Sequence, residues 1–264
     1  MLELYTNPMS PCAQKVRIVL AEKGLDWTKH HVDLSQKENL EPQYLKLNPL
    51  GVVPTLVHDN KPIIESSIIC EYLNDTFPEN NLKPEDTYEI SKMRYWMKHV
   101  DNKLHPSCGA LQWPLIMRPS LMEKTEEERQ TLLDKIPEKP RRERQKRLVK
   151  FGLDAPDVVD SVITYRKTIL DMEAALKQQK WIVSNNFCLA DICLAPYFQT
   201  ILQFGWTKMY EDCPHVFNWF LRCRERASYQ NAVANDFSLA VQADLLAKGK
   251  PAWEKIKTHI EKMT

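Results

Sequence analysis

The 264-residue chain reads as a small α/β domain followed by a larger all-helical one. Three observations carry that reading. Strand and helix signals alternate as far as residue 80, they give way to helical patterns after Phe77-Pro78, and the polar stretch 78–86 separates the two regimes. The predicted domains are therefore 1–80 and 86–264.

The elements follow in order. Leu2 to Tyr5 alternates as a short strand does, and Asn7-Pro8-Met9-Ser10-Pro11 breaks it. Between Pro11 and Lys23, Val16, Ile18, Val19 and Leu20 fall at helical spacing, and Gly24 is placed to end a helix. Asp26 to Val32 predicts a second strand. Val52 to His58 and Lys61 to Ile64 flank Asp59-Asn60 as a hairpin, and Ser66 to Leu73 predicts a helix. The order βαβ then ββα is a right-handed crossover followed by a hairpin. Beyond the linker, helices are expected over Tyr88–Met117, Val158–Gln179, Leu189–Phe204 and Val216–Ala227, with an amphipathic stretch from Leu239 into the tail. A charged insert, Pro119–Gly152, interrupts them. Its segment Lys135–Lys150 holds eight Lys/Arg against two Asp/Glu, the composition of a phosphate-binding patch. Glu126-Glu127-Glu128 precedes it and no aromatics interleave, so a solvated excursion is the reading preferred here.

Composition removes several functions. The chain carries 36 Lys+Arg against 35 Asp+Glu, a net charge of +1 that favours neither nucleic acid nor an anionic membrane. Six glycines and no GxGxxG or GxxxxGK[ST] pattern argue against a phosphate-cradling loop. The seven cysteines show no CxxC spacing and no zinc pattern, so no metal is expected, and an odd count suits a reducing cytoplasm. Met-Leu-Glu-Leu-Tyr-Thr-Asn-Pro lacks the character of a signal peptide, and no run of about 18 apolar residues could cross a bilayer.

Four short patterns converge on one family. They are Ser10-Pro11-Cys12-Ala13-Gln14-Lys15-Val16-Arg17, Asn48 to Leu56 with Val53-Pro54 inside it, Ile64-Glu65-Ser66-Ser67, and Phe187-Cys188-Leu189-Ala190-Asp191. In this order they resemble the cytosolic glutathione transferases, over nearly the whole chain. The resemblance implies a thioredoxin-like first domain that binds glutathione as co-substrate and a helical second domain. It also implies a serine-type catalytic site. Ser10, at the start of the first helix, would hydrogen-bond the glutathione sulfur and favour the thiolate, the reactive form; a serine in that position is also an ordinary helix cap. A cis Val53-Pro54 bond would let the Val53 backbone pair with the cysteinyl unit as an added strand. Ser66 would receive the γ-glutamyl carboxylate and Glu65 its ammonium group, while Lys37 would take the glycyl carboxylate. In the helical motif, Cys188 replaces the usual Ser or Thr cap, leaving more of the capping to Asp191.

Within the family, the insert with Asp134-Lys135-Ile136-Pro137 and the Thr76-Phe77-Pro78-Glu79 segment resemble the bacterial β-aryl etherase branch. Those enzymes cleave β-O-4 aryl ethers by glutathione attack. The implied partner is a hydrophobic, aromatic electrophile lodged between the domains, against Met9, Leu104, His105, Trp113 and Tyr197. Asp101 is expected to support the glutathione end. Two alternatives stay open. One is an omega-like thiol transferase using Cys12, although the omega cysteine stands seven residues before the helix arginine, where this chain has Ser10. The other is a non-catalytic binding protein on the same fold. The family also implies a homodimer.

Overall fold

In a computed structural model of the chain, β1 (Leu2–Thr6) is the strand on which the sheet is assembled. It pairs in parallel with β2 (Thr28–His31) on one side and antiparallel with β3 (Thr55–His58) on the other; β4 (Lys61–Ile63) closes the edge in the order β2-β1-β3-β4. The structure describes residues 1–262, so Met263 and Thr264, the end of the predicted helical region, lie outside the described residues. Leu4 faces Leu56 across the β1–β3 ladder, and both are fully buried beneath the helices that cover the sheet.

The first of those helices, α1 (Pro11–Glu22), explains the arrangement of the rest. Ser10 caps it by accepting the Ala13 N–H at 3.3 Å, and Pro11 occupies its first position, where no N–H is needed. At the other end Leu25 N–H reaches Leu20 O and Gly24 N–H reaches Ala21 O. This is the Schellman arrangement, with Gly24 at φ 62°, a conformation that suits a residue without Cβ. Between its caps α1 is buried on nearly every side, polar residues included. Three of its charged residues reach the helical domain: Lys15 to Asp101, Arg17 to Asp236 and Glu22 to Arg226. The short α2 (Pro42–Leu47) and α3 (Ser66–Thr76) complete the first domain.

The helical domain begins with α4 (Thr87–His99), capped by the Asp86 carboxylate. The stretch read from sequence as one helix to Met117 is instead two. A π-helical turn, Val100–Leu104, joins α4 to α5 (His105–Ile116). Pro106 supplies no N–H to the preceding turn, which loosens the helical ladder there. Next come α6 (Arg118–Met122), α7 (Glu126–Asp134) and α8 (Lys139–Phe151), which make up the insert, and then α9 (Pro156–Leu176). The insert takes a helical form of the largely solvated excursion expected and adds a core that its composition did not show. It opens α7 with a Thr125–Glu128 capping box and forms its own small core of Leu121, Leu133, Ile136 and Val149. Apolar residues buried under the charges, Leu121, Leu133, Ile136 and Leu148 among them, are the signal that net composition concealed.

At the centre lies α10 (Leu189–Gln203), with Phe198 packed against the rings of Tyr210, Trp219 and Phe220. Around it stand α11 (Pro214–Glu225), α12 (Ala227–Ala232), α13 (Leu239–Gly249) and α14 (Trp253–Glu261). Pro251 lies in the turn that divides the last two.

Asp191 supplies the reciprocal half of the capping box that Cys188 opens at the head of α10. Its Oδ2 accepts the Cys188 N–H at 3.1 Å, and its Oδ1 accepts the Ile182 N–H at 2.9 Å and the Trp219 indole N–H at 2.8 Å. Burial raises its carboxyl pKa in spite of those three donors. Replacing Asp191 by Ala would leave three buried donors without an acceptor, each costing about 1–3 kcal/mol. Asp191→Ala should therefore lower the thermal midpoint by roughly 10 °C at about 2–4 °C per kcal/mol for a chain of this size. A shift below about 3 °C in calorimetry would show that the carboxylate is not holding these elements together.

Candidate functional site

The turn ahead of α1 is fixed by its own side chains. Asn7 donates to Val32 O at 2.9 Å and accepts the Met9 N–H at 2.9 Å, while Gln14 donates to Pro8 O at 2.7 Å. This presents Met9 and Ser10 at the head of a helix, where the dipole favours negative charge. A second loop faces them. Arg141 donates to Leu50 O at 2.9 Å, Asn39 to Gly51 O at 2.8 Å, and both Tyr44 and Asn48 to Val52 O at 2.6 and 2.9 Å. Gly51 has φ 58°, and a Cβ there would meet Leu40 at 2.8 Å, so the turn admits glycine alone. Among the described residues no intrachain hydrogen bond engages the backbone of Val53, which follows. The Val53–Pro54 bond is cis.

These two loops and the helical domain enclose a cavity of about 440 Å³. Met9, Ser10, Lys37 and Val53 line it from the first domain, and His105 and Trp113 from α5. The insert closes the outer side through Leu132, Leu148 and neighbours on α6, α7 and α8. Lys37, itself at φ 65°, holds its Nζ 5.3 Å from the centre of the Trp113 ring. Burial lowers its ammonium pKa to about 8, a shift that an incoming carboxylate would reverse.

Two residues expected on this cavity are not there. Leu104 and Tyr197 are both fully buried and line no part of it. The π-helical turn directs Leu104 into the core and leaves His105 to face the cavity. Tyr197 lies beneath, on α10, with its hydroxyl 3.7 Å from Cys12 Sγ.

Glu65 and Ser66 stand outside the cavity lining, at the start of α3. Glu65 is exposed and carries φ 70°, a left-handed conformation uncommon for a non-glycine residue and concentrated at ligand-holding sites. Ser66 is buried, and Lys15 Nζ donates to its hydroxyl at 3.2 Å. Pro54 is buried and touches the site through the backbone it turns.

Sequence reasoning passed over Lys15. Its side chain is fully buried, with Nζ donating to Asp101 at 2.9 Å and to Ser67 at 3.3 Å, while Ser67 also donates to Asp101 at 2.9 Å. Burial would lower its pKa, but the charges of Cys12, Cys193 and Asp101 raise it instead. Its signal in the sequence was slight: a lysine beside the apolar run Val16 to Leu20, in a helix that also carries Gln14 and Arg17. Beside it, Cys12 Sγ lies 3.4 Å from His105 Nδ1. Burial pushes the thiol pKa up; the attraction of His105 and Lys15, with hydrogen bonds from His105 and Ser66, outweighs it and brings the value down to about 6. Cys12 is half-buried and aimed at this cluster, while the other six cysteines are buried; all seven are free. Among the described residues no group of His, Cys, Asp and Glu could hold a metal ion, and no helix is long and apolar enough to cross a membrane.

Known proteins share this arrangement. LigF from Sphingobium sp. strain SYK-6 is 28% identical over 253 residues, covering 94% of this chain and 97% of its own. Its crystal structure, described as a beta-etherase, superposes with a TM-score of 0.80 at 27% identity, over 88% of this chain and 98% of that one. Glutathione S-transferase 3 of Zea mays is 28% identical over 240 residues, 88% of this chain and 93% of its own. Glutathione transferase F7 of Populus trichocarpa shares the fold, with a TM-score of 0.68 at 23% identity over 88% of this chain and 97% of that one. The family described as Glutathione S-transferase, N-terminal domain matches residues 9–76, and Glutathione S-transferase, C-terminal domain matches residues 154–227, which together exceed half the chain. With its capped serine, cis-proline loop and strained glutamate on a thioredoxin-like sheet, and a helical domain closing the cavity, the chain belongs to the glutathione S-transferase family.

Proposed function

We propose that the protein is a glutathione-dependent β-aryl etherase in which Ser10 activates the thiol. The observation that carries this reading is the placement of Ser10, at the head of α1 and on the wall of an apolar cavity large enough for an aromatic electrophile. Likeness to a beta-etherase along nearly the full length of both chains supports the choice of reaction.

Ser10 Oγ accepts the Ala13 N–H, which leaves the hydroxyl proton to donate to a glutathione sulfur. Val53 offers its N–H and C=O to the cysteinyl unit, Ser66 and Glu65 hold the γ-glutamyl end, and Lys37 takes the glycyl carboxylate. The thiolate then forms a C–S bond at the carbon bearing the ether oxygen. As it forms, the C–O bond breaks, and the phenolate leaves with the bonding pair and takes a proton from water. Met9 and Trp113 bound the space for the aryl groups, with His105 beside them. Such an enzyme works on glutathione in the cytoplasm.

Glutathione-dependent release of a fluorescent phenol from β-O-4 model ethers tests this directly. Ser10→Ala should depress turnover at neutral pH by roughly one to two orders of magnitude, since a hydrogen bond to a charged group is worth about 1.5–3 kcal/mol. Raising the pH should recover part of the loss, and the KM for glutathione should change less than kcat. Loss of the cap should also reduce stability by about 1 kcal/mol. A fully active Ser10→Ala variant would assign thiolate stabilisation to other groups, and no phenol release by the wild type would reject the etherase.

The Cys12 cluster favours a second reading, thiol transfer through a mixed disulfide at Cys12. With its pKa lowered, Cys12 is a thiolate above about pH 6, so its alkylation by iodoacetamide should reach half its maximal rate near pH 6 rather than near the ordinary 9.0. Cys12→Ala separates the readings: ether cleavage survives if Ser10 is the catalytic group, and thiol transfer vanishes if Cys12 is. An alkylation midpoint near pH 9 would remove the thiolate on which the second reading rests.

A homodimer is the proposed assembly, the first domain of one subunit facing the helical domain of the other. Ile68 on α3 and Tyr88 and Tyr95 on α4 are exposed apolar residues on neighbouring helices, joined by the Glu71–Arg94 ion pair. Sedimentation at micromolar concentration should give twice the 30.9 kDa chain mass, and a species of 30.9 kDa alone would reject the dimer.

A further inference from the structure

The insert is basic, yet most of its cations are already engaged. Arg142 donates to Ile136 O at 2.8 Å, Lys146 pairs with Asp134 at 2.8 Å, and Arg147 grips both oxygens of Asp157 at 2.7 and 2.8 Å. Arg141 is spent on Leu50 O, with Glu138 3.7 Å away. Lys124, Lys135 and Lys139 are exposed, and Arg144 is a different case. It lines the cavity, it is partly buried, and among the described residues no carboxylate or carbonyl lies within ion-pair or hydrogen-bond reach of its guanidinium. Burial lowers its pKa, and Asp157 and Glu138 offset this only from a distance. A cation held partly out of water without a partner is costly unless a ligand completes it.

The other cations on the cavity wall are Lys37 and Arg141, set against a single carboxylate. That carboxylate, Asp33, already accepts the N–H and hydroxyl of Ser35 and the Gln36 N–H. Lys37 is taken by the glycyl carboxylate in the reading above. On the insert wall, Arg141 Nε is a buried donor without a hydrogen-bond partner, so donor capacity beside Arg144 is also left over. A guanidinium fork matches a carboxylate in a bidentate pair, a geometry that a lysine cannot reproduce.

We propose that Arg144, flanked by Gln145 and Arg141, binds a carboxylate on the electrophile, so that the preferred substrates are aryl ethers bearing an acidic group. The inference rests on the etherase reading, and it adds a second anion site to the glutathione site. The negatively charged end of the substrate lies against α8, which leaves the ether carbon toward Ser10.

Two β-O-4 ethers that share one fluorescent phenol, one carrying a benzoate and the other its methyl ester, test this at saturating glutathione. The wild type should prefer the acid. Arg144→Gln should cut kcat/KM for the acid by about 10- to 100-fold, chiefly through KM, while kcat/KM for the ester and the KM for glutathione stay within about 2-fold. Arg144→Lys should recover only part of the loss. Equal losses on acid and ester would overturn the proposal, and so would a raised KM for glutathione, which would assign Arg144 to the glycyl carboxylate. If neither ether is cleaved, the etherase reading fails by itself. Calorimetric titration of 4-(phenoxymethyl)benzoate and of the matching amide, with glutathione present, then decides: tighter binding of the acid that Arg144→Gln abolishes supports the carboxylate site, and equal binding of the two refutes it.

Discussion

One buried ammonium group organises the molecule. Lys15 Nζ, without exposed surface, draws together Ser66 and Ser67 from α3 and Asp101 from the helical domain, and it faces the Cys12 sulfur. Three chain segments separated widely in sequence thus end at one charge. Within a low-dielectric seam such a charge stays ionised only if its partners are fixed, and fixing them sets the angle between the domains. Arg17–Asp236 and Glu22–Arg226 extend the same logic along α1, making this helix the common spine of both domains.

That arrangement sets a serine and a cysteine on different sides of one helix start. Ser10 lies on the cavity side of the first turn of α1, and Cys12 lies on the inner side among His105, Lys15 and Tyr197. The two residues share a helix start and its dipole, but they face different neighbours. Helical periodicity accounts for the separation, because positions two apart in a helix point to different sides. The lowered thiol pKa of Cys12 follows from His105 of the helical domain and then from the same lysine that fixes the seam, so an ionisable cysteine is a by-product of how the domains are joined.

Much of this was legible in the sequence. Strand alternation, the Gly24 stop and the Asp59-Asn60 turn each rest on local chemistry, and the sheet follows from them. Ser10 and Val53 could be located on the cavity because short motifs place them at element boundaries, whereas Lys37 lies in no motif and was reached only through the family resemblance. What stayed hidden depends on tertiary context. The π-helical turn after His99 leaves no mark but Pro106, and it turns Leu104 inward and His105 outward. Lys15 reads as a surface residue until its helix is seen to be covered on every side. The insert reads as solvated because its charges outnumber its apolar residues, although those few residues decide where it packs.

The insert has a small core of its own, joined to the main body through Leu40 and Trp113, while Leu148 of α8 belongs to the main core. Four buried side chains are a small share of the apolar burial in the chain, and a region held by few such contacts opens at a lower free energy than a main core. Leu121, Leu133 and Ile136 of that small core also line the cavity, so the packing of the insert and the shape of the cavity's outer wall are set by the same side chains.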